Sequence, residues 1–207
     1  QVLYRRTAQG YVEYFSDGLS KEEAHKVNIV MDKVASGIND LGSGADSPFL
    51  LYPFDTMKRF CLAIFQKEYS GGRSNSVNHG LLIDEEEYKE LVKDPDQIWG
   101  FTNKNFLSRK VNSRNEMPGL KALDISENFE LNKDFIFKEY NLKNSGYLKF
   151  LNAVYMSLSK NRNYQFGIQI DNSKDANKVM RHFGYLITSM LPYELRDKVS
   201  FCSRNVP

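Results

Sequence analysis

Two apolar runs joined by a short polar link constrain this chain more than any other feature. "RFCLAIFQKEYS", residues 59–70, is followed directly by "GGRSNSVNHGLLID", residues 71–84. The unbroken apolar stretch Phe60–Phe65 is what a central strand buried on both faces carries, and periodicity alone leaves a buried helical turn as the alternative. A link "GGRSNS" between two strands is a hairpin connection, because paired glycines supply the positive φ that tight turns need. The pattern predicts an antiparallel hairpin around residues 58–84.

The rest of the chain supplies elements to pack on that hairpin. "VLYRRT" and "GYVEYFS" read as two short strands around a turn at Ala8–Gly10, with Tyr11 and Glu13 on one face and Val12 and Tyr14 on the other. Ser20 then opens a helix as N-cap. Glu23, three residues later, closes a capping box, and Leu19 and Ala24 form a hydrophobic staple. Ala24, Val27, Val30, Met31 and Val34 make its apolar stripe, and Gly37 ends it. "INDLGSGADSP" is turn-rich, "FLLYPFD" is a strand candidate, and "DEEEYKELVKD" is a helix whose first-turn acids complement its dipole.

Residues 95–130 mix Asn, Ser, Pro and Gly with isolated aromatics, the pattern of a loop-rich insertion. Beyond them the periodicity returns. "SGYLKFLNAVYMSLSK" places Tyr147, Leu151, Val154, Tyr155 and Leu158 on one helical face. "YQFGIQID" alternates as a strand. "SKDANKVMRHFGYLITSML" is a second amphipathic helix, with Ser173 as N-cap and Val179, Met180, Phe183, Ile187 and Met190 inward. Pro192 breaks it, "YELRDK" adds a turn, and "VSFCSR" closes as a strand. The expected fold class is α/β or α+β: a mixed β-sheet containing the hairpin, flanked by amphipathic helices. The expected organisation is a single domain over residues 1–207. A first residue Gln1 in place of Met, with an ending "SFCSRNVP", reads as a piece cut from a longer chain.

Composition removes several function classes. Lys and Arg total 28 against 26 Asp and Glu, and no segment carries a basic block of the nucleic-acid-arm type. No run approaches the roughly 18 apolar residues of a membrane span, and no signal peptide opens the chain. Cys61 and Cys202 stand far apart in apolar runs, so they read as buried thiols of a reducing, cytoplasmic setting. The aromatic share of 13% fills a core and also suits a contact surface.

Each candidate for chemistry has a structural counterpart. "GGRSNS" lacks the glycine–lysine spacing of a phosphate-cradling loop, and no helix follows it directly. His25 and His182 have no metal-ligand partner one helical turn away. His79 stands at the mouth of an apolar strand; it is either a general base awaiting a partner or a side chain that bonds neighbouring backbone and fixes the hairpin. Burial in "RFCLAIF" disfavours a Cys61 thiolate. Asp84, Glu85, Glu86 and Glu87 point in different directions on a helix start, and so make a solvated face and not a cation site. Arg73 suits an anion or a partner's carboxylate. No metal, cofactor or catalytic set is called for.

Three stretches in order, "LYRRTAQGYVEYFSDGLSKEE", "GGRSNSVNHGLLID" and "LPYELRDKVSFCS", resemble the N-terminal domain of the bacterial GTPase-associated proteins. Tyr4, Gly10, Tyr11, Gly72, Arg73, Asn78, His79, Leu82, Pro192 and Phe201 carry the match. The link after Arg73 lacks a second glycine, and the closing strand reads "FCSRN" where Thr-Tyr is more usual. The resemblance implies a non-enzymatic protein-interaction or adaptor domain of a GTPase-centred conflict or defence system. Its partner would be a protein, a small GTPase encoded nearby, with no nucleic acid or membrane involved. Binding residues would be Arg73, Asn78 and His79. The alternative is a hydrolase or nucleotide-processing enzyme using His79 and Arg73.

Overall fold

The hairpin is the centre of the sheet. The computed structural model describes residues 1–7, 10–36, 47–70, 73–101, 117, 131–160 and 175–202, and for residues 6, 7, 67–70, 73–75 and 176 it describes backbone only. β4 (Arg59–Ser70) and β5 (Arg73–Asp84) pair antiparallel from Arg59↔Asp84 to Ser70↔Arg73. Only Gly71 and Gly72 lie between the paired ends, so the expected six-residue link shortens to two. Ser74, Asn75 and Ser76 pair with Tyr69, Glu68 and Lys67. Ladder hydrogen bonds hold these residues extended against their turn preference, which is a weak local bias.

Four further strands extend the sheet: β1 (Val2–Thr7), β2 (Gly10–Phe15), β3 (Phe49–Phe54) and β6 (Phe201–Cys202). The order is β2-β1-β5-β4-β3-β6, and every described pairing is antiparallel. The fold is of the mixed α/β kind expected, with strands and helices in largely separate stretches of chain. β4 is indeed buried on both faces: all six residues from Phe60 to Phe65 are inaccessible to solvent or nearly so.

Internal contacts divide the chain into two compact units: Gln1–Glu85, Asn103–Asp124 and Ser200–Pro207 form the first, and Glu86–Thr102 with Ile125–Val199 form the second. In the first, helix α1 (Lys21–Ala35) lies on the sheet. Its start is as the sequence predicts: the Glu23 amide donates to Ser20 Oγ at 3.2 Å, and the Ser20 amide donates to Glu23 Oε2 at 2.8 Å. Ala24, Val27, Met31 and Ala35 pack with Val2, Leu50, Cys61, Ala63 and Phe65. Val30 and Val34 sit at the margin, half-buried. The close approach needs Gly80, where an added Cβ would stand 2.9 Å from Cys61 Sγ and 3.1 Å from Met31 Sδ. On the opposite face Leu3, Val77 and Met117 form a smaller cluster with Tyr14.

The second unit is helical: α2 (Glu85–Leu91), α3 (Pro95–Trp99), α4 (Lys133–Glu139), α5 (Asn144–Ser159), α6 (Ala176–Met190) and α7 (Tyr193–Arg196). The stretch expected to be irregular from 95 begins as a helix, because Asp94 accepts from the Asp96 amide at 3.1 Å and Pro95 fills the first turn. Residues 102–116 and 118–130, and the predicted strand "YQFGIQID", lie outside the described residues.

Trp99 seats against Gly184 and donates from Nε1 to Thr188 Oγ1 at 2.7 Å. α6 is capped by Asp175, which accepts from the Asn177 and Lys178 amides at 2.9 and 3.3 Å. This corrects the assignment to Ser173: both are cap-type residues, and the one adjacent to Ala176 takes the role. Two residues predicted inward are exposed, Tyr155 at 46% and Met190 at 42%. Tyr155 is one residue, about 100° of helix, past the buried Val154 and so falls at the edge of the face. Among the described residues no helix is long and apolar enough to cross a membrane.

Candidate functional site

Successive strand residues point to opposite faces, so β5 separates the residues singled out in the hairpin. Asn78 pairs with Tyr4 and Phe65 on the α1 side, has no exposed surface, and its amide atoms find no hydrogen-bond partner among the described residues. His79 pairs with Leu3 and Ile64 on the other side and is equally buried. Its Nε2 lies 3.0 Å from Gln1 Oε1. Burial holds His79 far below the usual imidazole range, at about 3, so it is neutral near pH 7.

His79 therefore lies within β5 and not at a strand mouth, where the sequence placed it. Pairing with β1 on one side and β4 on the other encloses it in the sheet. Arg73 opens β5 opposite Ser70, and its side chain lies outside the description. Arg73 lies six positions before His79 along the strand, a distance of about 20 Å at ~3.4 Å per residue. Asn78 and His79, adjacent in β5, take opposite faces of the sheet.

The other nominated groups serve the fold. Cys61 is fully buried, and burial pushes its thiol up to about 12, which keeps the thiolate out of reach. His25 Nδ1 meets Glu13 Oε1 at 2.9 Å, tying α1 to β2. His182 is buried with Nδ1 2.7 Å from the Tyr140 hydroxyl, and burial lowers its pKa to about 4. In the acidic run, Asp84 pairs with Arg59 at 2.8 Å. Among the described residues no three His, Cys, Asp or Glu side chains are grouped to hold a metal ion.

A surface with recognition chemistry lies on the α1 face of the sheet, at its β1–β2 edge. β1–β2 register sets Tyr4 opposite Glu13 and Arg6 opposite Tyr11, which puts Tyr4 and Tyr11 diagonally on one face. Their rings stack with centroids 5.1 Å apart and planes 3° from parallel. Tyr11 is 58% exposed. An open groove of about 430 Å³ beside them is lined by Tyr4, Tyr11, Val12, Glu13, Phe15 and Lys21. The Tyr4 hydroxyl is held above its usual pKa, by burial first and then by the carboxylates of Asp32 and Glu13. Alternation in "GYVEYF" places Tyr11 and Glu13 together. What it does not reveal is that Tyr4 joins them, since that depends on strand register.

No family model, curated protein or solved structure matches this chain.

Proposed function

We propose that this chain is a non-enzymatic protein-interaction module, an adaptor that docks a protein partner through the Tyr4–Tyr11 face. One observation carries the reading: a stacked tyrosine pair, Tyr11 exposed and Tyr4 half-buried, stands beside a groove that holds groups of both charge signs, Glu13 and Lys21. Tyrosine supplies large contact area at low entropic cost and keeps a hydroxyl for a polar partner, which is why it is enriched at interfaces.

The resemblance of "LYRRTAQGYVEYFSDGLSKEE" and "GGRSNSVNHGLLID" to bacterial GTPase-associated proteins supports a more specific form. In it the partner is a small GTPase encoded beside this chain, met in the cytoplasm as part of a conflict or defence system. Tyr4 and Tyr11 belong to the residues that carry the resemblance, so the two arguments meet on the same surface. Arg73, at the turn end of β5, is a second contact in this reading.

The test is a titration of this chain against that GTPase in its GDP and GTP-analogue states, with Arg73→Ala beside the parent. The reading expects binding that differs between the two states and weakens in the variant, with circular dichroism unchanged. Absence of binding in both states would remove the GTPase partner. Hydrolysis of a nucleotide by the chain alone would replace the adaptor reading with an enzymatic one.

A further inference from the structure

We draw no further inference here: the strongest candidate, the apolar flank of α5 that leaves Leu148 58% and Tyr155 46% exposed, has nothing in the structure to show what covers it.

Discussion

Gly184→Ala tests the packing of the helical unit most sharply, because two effects of opposite sign act at one atom. In a helix interior the substitution gains about 1 kcal/mol of intrinsic propensity. Against that, a Cβ at 184 would overlap the Trp99 ring at three carbons, the farthest of them Cζ2 at 2.8 Å. The ring has little room to retreat: it is 1% exposed, and its Nε1 is held by Thr188. Overpacking of this kind costs about 1–3 kcal/mol, and loss of the indole hydrogen bond adds about 1 kcal/mol. The net expectation is a loss of about 2 kcal/mol. Trp99 is the single tryptophan, so urea unfolding followed by its fluorescence reads this unit directly. Gly146→Ala is the matched control. A Cβ there meets nothing within 4 Å, and the variant gains up to about 1 kcal/mol. A Gly184→Ala protein as stable as the parent, with unshifted Trp99 emission, would refute the seating of the ring on α6.

Arg196 donates to the carbonyls of Leu191, Val92 and Lys93 at 3.0, 3.1 and 2.7 Å, and to Ser189 at 3.4 Å, binding the ends of α2 and α6. Arg196→Ala should cost about 2–3 kcal/mol by the same fluorescence assay, and Arg196→Lys should recover only part, since an ammonium cannot span the set. Asn78→Leu, which removes from the core two amide atoms with no partner among the described residues, should leave the urea midpoint unchanged or raise it. A fall of more than about 2 kcal/mol would show that the amide is engaged.

Stability should also depend on pH through His79 and His182, whose folded pKa values near 3 and 4 lie below the unfolded value of 6.5. The unfolded chain takes up protons first as pH falls. The stabilisation is therefore complete above pH 6.5 and declines down to about pH 4 for His182 and about pH 3 for His79, with each histidine contributing at most about 2 kcal/mol of loss by pH ~5. Urea midpoints at neutral and mildly acid pH, for the parent and for His182→Gln, measure it. Equal pH slopes in the two proteins would contradict the role given to His182.

Local chemistry explains which parts of this fold were legible. The start of α1 is decided within four residues by Ser20 and Glu23, and the apolar run Phe60–Phe65 marks a buried strand without reference to anything distant. What the sequence could not supply is pairing over long separations. Gln1 meets His79 across 78 residues, and Trp99 meets Thr188 across 89. The same holds for the site. Tyr11 was legible as one face of a strand, but its partner Tyr4 appears only when β1 and β2 adopt their register. In reverse, polar residues such as Asn78 and His79 read as surface chemistry because their enclosure by β1 and β4 is non-local. Tyr155 and Met190 were misplaced for a smaller reason, being at the margins of otherwise correct helical faces.

The measurement that bears most directly on the proposed interaction surface is calorimetric titration of the GTPase proposed as partner with the parent, Tyr11→Ala and Tyr155→Ala chains, each checked by circular dichroism. Truncating an aromatic anchor at the centre of an interface costs about 2 kcal/mol, and every ~1.4 kcal/mol is tenfold in Kd. Tyr11→Ala should weaken binding by tenfold or more while Tyr155→Ala, on α5, leaves it unchanged. Equal affinity for parent and Tyr11→Ala, with both folded, would contradict docking through the Tyr4–Tyr11 face.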